Sequence, residues 1–198
     1  MIEFKNLYQE APYLIFKEKY YKAIDAGQKN IEAIAISSYN IEKNEVDSRF
    51  VNLKFINEGK FIFFSNYNSP KSIAFNSNNQ VGVLLYWPSI NIQIRMKAKI
   101  QKTSTEYNNE YFQSRSLDKN ALAISSNQSQ VTQSYEQVIQ EYKNVKENQD
   151  LTKCPDYWGG YSFTPYYFEF WEGHSSRLNK RDIYKSDGDA WNHSILQP

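Results

Sequence analysis

Ile90-Asn91-Ile92-Gln93-Ile94-Arg95-Met96-Lys97-Ala98-Lys99-Ile100 is the stretch that decides the fold. Every even position is apolar and every odd position polar, the period of two that sends successive side chains to opposite faces of a β-strand. One face packs into a core. The other presents Asn91, Gln93, Arg95 and Lys97, a polar face that alternation alone assigns to solvent.

Upstream of this strand, residues 80–87 read as a neighbouring strand, and 31–37, 46–55 and 60–64 as three more. A hairpin turn falls at 40–45, and Asn57-Glu58-Gly59 is a second turn. Residues 13–24 carry Leu14, Phe16, Tyr20, Tyr21 and Ile24 at helical spacing, with Ala26-Gly27 as the stop. Pro70 suits the first turn of a helix over 70–76, with Ser69 as its N-cap. Downstream the pattern is helical over 104–114, 120–125 and 133–147, and Pro155 ends that region. The tail returns to strands at 160–164, 167–171, 177–185 and 191–196, with Asp187-Gly188 as a hairpin turn. Five early strands, a helical segment and further strands predict an α+β protein, mainly antiparallel, built on a barrel or folded sheet.

The bulk composition narrows the function. With 198 residues the chain can bury a sizeable core. Lys+Arg 23 against Asp+Glu 22 gives a net charge of +1, which argues against a general nucleic-acid binder but leaves room for a local basic pocket. One cysteine, Cys154, excludes an internal disulfide, and with only His174 and His193 beside it a zinc site is not expected. The apolar run over 81–87 is too short to span a bilayer, and no secretory leader is visible, so a cytoplasmic protein is expected. Aromatic residues reach 16%, which suits pleated surfaces and also flat binding walls or subunit interfaces.

Nucleophile–His–Asp triads, P-loops and Rossmann turns have no counterpart in this sequence. What remains is a dispersed set of basic residues, Arg49, Lys54, Lys71, Arg115, Arg177 and Arg181, able to converge on phosphate groups.

These residues lie in segments that resemble the pyridoxamine 5'-phosphate oxidase family. Arg49-Phe50-Val51-Asn52-Leu53-Lys54 resembles its R-x-V-x-L-K strand, and Phe64-Ser65-Asn66 with Ser69-Pro70-Lys71 its Y-T-N…S-R-K turn. Trp87 and Gln93 stand where the family has a tryptophan and the glutamine of R-Q-V. Tyr111-Phe112-Gln113-Ser114-Arg115 is similar to Y-F-x-S-R, Gln128-Ser129 to Q-S, and Trp158-Gly159-Gly160 to W-G-G. Glu169-Phe170-Trp171 followed by Arg177-Leu178-Asn179-Lys180-Arg181 is similar to E-F-W…R-L-H-D-R. The order holds from about residue 12 to the end of the chain.

The resemblance implies an FMN-binding split β-barrel with peripheral helices, one domain over 1–198. Within it, 13–103 would form the N-terminal barrel strands, 104–150 a helical segment and 155–198 the C-terminal dimerisation strands. It implies a homodimer with FMN at the subunit interface, a phosphorylated pyridine substrate and O2 as oxidant, with no nucleic acid, membrane or metal. By the same resemblance Arg49, Lys54, Phe64, Ser65, Lys71, Gln93, Gln128, Ser129, Trp171 and Arg181 would hold FMN. Lys54, Tyr111, Arg115, Lys119 and Arg177 would hold the substrate, and Arg177 with Asn179 would be the catalytic pair. The product would be pyridoxal 5'-phosphate, formed by oxidation at the 4' carbon, with O2 reduced to H2O2.

Departures from the family pattern cluster at the site. Pro70 replaces an arginine of the turn, Ile92 the arginine beside Gln93, Lys119 a serine, Asn179 a histidine and Lys180 an aspartate. Asn179 keeps hydrogen-bonding capacity but cannot titrate near neutral pH. The upstream R-x-x-Y arm of the family has no counterpart in the sequence. These departures predict retained FMN binding with reduced or altered oxidase activity. The alternatives are a different amine or alcohol substrate, as in the phenazine-biosynthesis oxidases, or a flavin- or pyridoxal-phosphate-binding protein without turnover. A purely structural dimer is expected only if Arg49, Lys71 and Gln93 fail to converge.

Overall fold

Short turns cut the chain into ten strands and five α-helices among the residues described by the computed structural model, 1–188 and 190–198. In order these are β1 (Glu3–Lys5), α1 (Ala11–Asp25), β2 (Ala33–Asn40), β3 (Glu45–Asn52), β4 (Phe55–Asn57) and β5 (Lys60–Asn66). Next come α2 (Pro70–Ser77), β6 (Gln80–Trp87), a 3-10 turn (Pro88–Ile90) and β7 (Ile92–Lys102). The helical segment is α3 (Thr105–Ser114), α4 (Leu117–Ser125) and α5 (Tyr135–Asn148). The tail is β8 (Trp158–Glu172), β9 (Lys180–Asp187) and β10 (Ala190–Ile195).

The period-two stretch behaves as its pattern dictates. Ile92, Ile94, Met96, Ala98 and Ile100 are buried in the main core, while Arg95, Lys97 and Lys99 on the opposite face are exposed. Ile90 and Asn91 fall outside the strand; Pro88 opens a 3-10 turn, and Asn91 closes it at a left-handed φ of 51°.

The strands form one sheet in the order β1-β4-β5-β8-β7-β6-β2-β3, antiparallel except for the β1–β4 pair, with β9 and β10 added on the free part of β8. Phe61, Phe63, Phe163, Phe168 and Phe170 fill the core between its curled faces. Helix α1 packs there through Tyr13, Phe16, Tyr20 and Ala23, a stripe at three- and four-residue spacing. The expected stripe is therefore rotated: Leu14 and Tyr21 point outward, because the buried face tracks Tyr13 and Phe16.

Three of the boundaries that differ from the sequence expectation bear on the site. The strand expected over 46–55 breaks at Leu53-Lys54: β3 pairs with β2, but β4 turns away to pair with β5. The two strands expected at 160–164 and 167–171 are one strand, β8, which continues through Pro165. Proline lacks a donor and is tolerated in a sheet chiefly at bulges and edges. Here it sits at the bulge in the β7–β8 ladder, between the end of β5 pairing at Phe163 and the start of β9 pairing at Tyr167. The strand expected at 177–185 begins only at Lys180, because residues 174–177 form a turn closed by Arg177 N–H donating to His174 O at 2.9 Å. The hairpin turn expected at Asp187-Gly188 follows the end of β9, with Gly188 at φ 62°, and Asp189 beside it lies outside the described residues. The three-residue β1 had no periodicity to announce it.

One close approach positions the site. Thr103 Oγ1 and the Gly160 N–H both donate to Asn108 Oδ1, at 2.6 and 2.8 Å. Asn108 Nδ2 donates to the Tyr67 hydroxyl at 3.1 Å, which in turn donates to Gly160 O at 3.0 Å. This network seats α3 against β8. A Cβ on Gly159 would lie 2.2 Å from the Tyr67 hydroxyl and 2.4 Å from Asn108 Nδ2, so only glycine fits. Gly159→Ala is expected to lower stability by about 1–3 kcal/mol through overpacking. Urea unfolding of the variant beside the unchanged protein measures this.

Candidate functional site

Because α3 lies on β8, its residues Tyr107 and Tyr111, and Arg115 just past its end, follow one another at four-residue spacing along one side. That side borders a cavity of about 790 Å³, a volume suited to a cofactor-sized ligand. Strand β5 supplies Phe64 and Ser65, α2 supplies Lys71, the β3–β4 break supplies Lys54, and Lys119 and Gln128 come from the helical segment. The break at Leu53-Lys54, which sequence periodicity did not reveal, is what turns Lys54 toward this cavity.

Four flat rings stack along the wall. Phe64 and Tyr111 lie 3.8 Å apart at 21°, and Trp158 and Tyr107 lie nearly parallel to Phe64 at 5.3 and 6.2 Å. The Arg115 guanidinium sits 4.3 Å over the Trp158 ring. Its Nη2 donates to Lys119 O at 3.0 Å, but its Nη1 is buried without a partner among the described residues. A buried guanidinium nitrogen lacking an acceptor marks a place where an anion would satisfy it.

Lys71 is a second cationic group that wants an anion. It is 7% exposed, and its Nζ donates to Ser65 Oγ and Ser69 Oγ at 3.0 Å each and to Gln128 Oε1 at 3.2 Å. All three acceptors are neutral. Burial, and then the charge of Arg49 nearby, push the amine down to about 8. Pro70 at the first position of α2 starts the helix just before this lysine.

Across the whole cavity, the cations Lys5, Lys54, Lys71, Arg115 and Lys119 outnumber the carboxylates Glu3 and Glu110. This donor set fits phosphate groups, and the aromatic wall fits a flat heterocycle, so the residues present suit a flavin mononucleotide and a second phosphorylated ring.

Not every expected residue lines this cavity. Arg49 lies on β3 near Lys71, but its guanidinium donates to Ser38 Oγ and Ile36 O and pairs with Asp47. Ser129 follows Gln128 in a turn at a left-handed φ of 66° and is exposed. Gln93, Trp171 and Arg181 stand elsewhere, directly opposite one another across β7, β8 and β9, so they form a single row on one face of the sheet. Gln93 borders a different cavity, of about 480 Å³, with Arg95, Lys97 and Tyr167. Arg177 is exposed in the turn after β8 at a φ of 62°, a conformation a non-glycine residue adopts only at a cost. Asn179 Oδ1 accepts from the His174 N–H at 3.0 Å, so its amide helps close that turn. Within one protomer most expected site residues thus fall into a cavity group and a sheet row on separate surfaces, with Arg177 and Asn179 in the turn after β8, and Gln93 does not join Arg49 and Lys71. The departures are ordered too: Ile92 faces the core, and Lys180 pairs with Asp182 at 2.8 Å.

Residues 21–148 match the pyridoxamine 5'-phosphate oxidase family, and residues 158–198 match the pyridoxine 5'-phosphate oxidase C-terminal dimerisation region. The chain belongs to the pyridoxamine 5'-phosphate oxidase family. It is 35% identical to pyridoxine/pyridoxamine 5'-phosphate oxidase 1 of Hydrogenovibrio crunogenus, over 96% of this chain and 89% of that one. It is 34% identical to pyridoxine/pyridoxamine 5'-phosphate oxidase of Haemophilus influenzae, over 96% and 90%. Among solved structures, PhzG from Burkholderia lata, in complex with tetrahydrophenazine-1-carboxylic acid, superposes with a TM-score of 0.89 at 24% identity, covering 96% of this chain and 93% of that one. A pyridoxamine 5'-phosphate oxidase-related, FMN-binding protein from Nostoc punctiforme superposes with a TM-score of 0.78 at 13% identity, covering 96% and 100%. Both share this chain's fold, an α+β split β-barrel. The chain is accordingly an FMN-dependent oxidoreductase, with a dimerisation region at its C-terminus. No helix among the described residues is long and apolar enough to cross a membrane.

Sequence reasoning overlooked several cavity residues. Trp158 stood out only as part of W-G-G, yet it is the ring beneath Arg115. Tyr107 was detectable from its spacing of four before Tyr111. Glu3 and Lys5 reach the cavity because β1 adds to β4 in parallel, a pairing no local pattern encodes.

An anion held by the Lys71 amine would bind in a pH-dependent way. A bound dianion favours the protonated amine, so the bound form keeps its proton to higher pH than the free form. Affinity is therefore full below about 8 and falls as pH rises through that value. Quenching of FMN fluorescence, titrated from about pH 7 to about pH 9.5, is expected to show this decline. Lys71→Met should remove the slope and cost about 1.5–3 kcal/mol of binding.

Proposed function

We propose that this chain oxidises the 4' carbon of pyridoxamine or pyridoxine 5'-phosphate to give pyridoxal 5'-phosphate, as a homodimer whose site is shared between two copies. The observation that carries this reading is one cavity with two cationic groups, Lys71 and Arg115, each without an anionic partner among the described residues. Two phosphates, one of the cofactor and one of the substrate, would satisfy both.

Around Lys71, the hydroxyl of Ser65 and the amide of Gln128, with Ser129 beside it, would hold the FMN phosphate; Arg49 would join by exchanging Asp47 for the phosphate. Around Arg115, the Tyr111 hydroxyl and the amines of Lys54 and Lys119 would hold the substrate phosphate, with Phe64 as a flat wall. The Trp158 ring, 4.3 Å beneath the guanidinium, would hold it against the wall.

Gln93, Trp171 and Arg181 would reach the cofactor from the second copy. Their row lies on strands β7 to β9, and β8 and β9 fall within the matched dimerisation region, so a partner's cavity is a natural destination for them. Gln93 offers an amide that both donates and accepts, suited to the pyrimidine edge of a flavin. Trp171 offers an apolar face, and Arg177, held out by its turn, would cover the pyridine ring.

When bound, FMN supplies the two-electron acceptor and passes those electrons to O2, giving H2O2. With the amine substrate, water is consumed and ammonia leaves; with the alcohol, the aldehyde forms directly. The chain's own residues orient the 4' carbon and neutralise two phosphates. Asn179 favours a slower or altered reaction, since its amide is engaged in the 174–179 turn and carries no titratable proton.

Anaerobic addition of pyridoxamine 5'-phosphate to flavin-loaded protein is expected to bleach the flavin spectrum, with recovery in air. Tight FMN binding without bleaching would instead support a different amine or alcohol substrate, or a ligand-binding role. Arg115→Met is expected to raise KM for the phosphorylated substrate by about tenfold to a hundredfold with a smaller change in kcat, the pattern of a lost binding contact. Steady-state H2O2 release measures it.

A further inference from the structure

Glu169 is a carboxylate at 1% exposure, on the central strand β8, two residues from Trp171. Four donors surround it. Its Oε2 accepts from Arg95 Nη1 at 2.9 Å and from the Tyr167 hydroxyl at 3.0 Å. Its Oε1 accepts from Arg181 Nε at 2.9 Å, and Arg181 Nη2 lies in ion-pair contact with the same oxygen at 2.8 Å. The remaining arm of that guanidinium, Nη1, donates to Gln197 O at 3.0 Å.

The register explains the geometry. Arg95 stands directly opposite Glu169 on β7, while Arg181 stands opposite Trp171 on β9. The Arg181 side chain therefore reaches diagonally along the sheet, back from its own row to the carboxylate in the next. Left alone, a long flexible arginine in a partly open row would sample many directions. One hydrogen bond and one ion-pair contact to a single carboxylate oxygen, with one hydrogen bond to a backbone carbonyl, hold it to one.

A buried ion pair is a poor device for stability alone, because desolvation offsets much of the attraction and an apolar pair of similar size serves as well. It is a good device for direction. Arg95 is half exposed and satisfies the second oxygen, so the carboxylate stays fully hydrogen-bonded while Arg181 keeps its net charge for another ligand.

We infer that Glu169 is a positioning residue for cofactor binding: it fixes the Arg181 guanidinium beside Trp171 and Gln93 so that this row presents one preset cationic contact to FMN. The inference rests on the reading that the Gln93–Trp171–Arg181 row contacts FMN. Glu169 itself does not touch the cofactor; it acts through Arg181. The consequence is a specific non-additivity, since removing Glu169 matters only while Arg181 is there to be held.

The test is the FMN dissociation constant of four proteins, unchanged, Glu169→Gln, Arg181→Lys and the double variant, read by flavin fluorescence quenching, with each melting temperature recorded. Glu169→Gln is expected to weaken FMN binding about tenfold, and the double variant to bind no more weakly than Arg181→Lys alone. Equal affinity for Glu169→Gln and the unchanged protein would overturn the inference. So would losses that multiply in the double variant, which is what a merely structural role produces. If Glu169→Gln does not fold, Glu169→Asp takes its place in the same cycle. It keeps the charge but withdraws the carboxylate by one methylene, and the same non-additivity is required of it. Failure of the unchanged protein to quench FMN fluorescence would instead strike the cofactor-site reading itself, and the inference with it.

Discussion

The pairing of strand β8 on both of its edges is the constraint on which the rest of the molecule depends. One edge is taken by β7 along Tyr161 to Glu172, while the other is taken first by β5 and then by β9. A backbone strand can hydrogen-bond two neighbours at once and no more, so the hand-over from β5 to β9 must occur where a break in the ladder costs least. Pro165 marks that point: it has no N–H to lose, and it sits at the bulge. Before it, β8 is a barrel strand; after it, the same strand carries a hairpin that lies off the barrel path.

Both groups of candidate site residues follow from that division. The barrel half begins with Trp158-Gly159-Gly160, whose two glycines admit Asn108 and Thr103 and so bring α3 close. Tyr107, Tyr111 and Arg115 then meet Phe64, Ser65 and Lys71 around one cavity. The other half carries Glu169 and Trp171, which set the row shared with Gln93 and Arg181. The cavity holds cations that lack anions, and the row holds an arginine directed by a buried carboxylate. They are complementary pieces on different surfaces of one chain, as expected for a site assembled from two copies.

The departures from the family pattern have physical readings in this frame. Pro70 exchanges a possible donor for a well-started helix, leaving Lys71 as the principal buried cation there. Lys119 contributes its carbonyl to Arg115 as well as an amine to the cavity, so its side chain is free to meet an anion while its backbone holds the arginine. Asn179 is committed to a turn, which keeps Arg177 in its left-handed conformation. The scaffold is kept, and the changes fall among and beside the candidate site residues.

Period-two alternation at 90–100, Pro70 behind Ser69, and the stop at Gly27 were enough to determine β7, α2 and α1 from sequence, because each depends on neighbours within one or two turns of chain. The same holds for the basic and aromatic residues of the candidate site, whose types and order carried the family resemblance. Tertiary structure alone decided the rest. Whether Val46-to-Phe55 is one strand or two depends on β4 finding β5, and whether Pro165 ends a strand or bends it depends on which neighbour occupies each edge. The burial of Lys71 among neutral oxygens, the unpartnered Arg115 nitrogen and the bridge at Glu169 are contacts between residues distant in the chain. Local periodicity records which face a side chain takes; only the folded sheet records what it meets there.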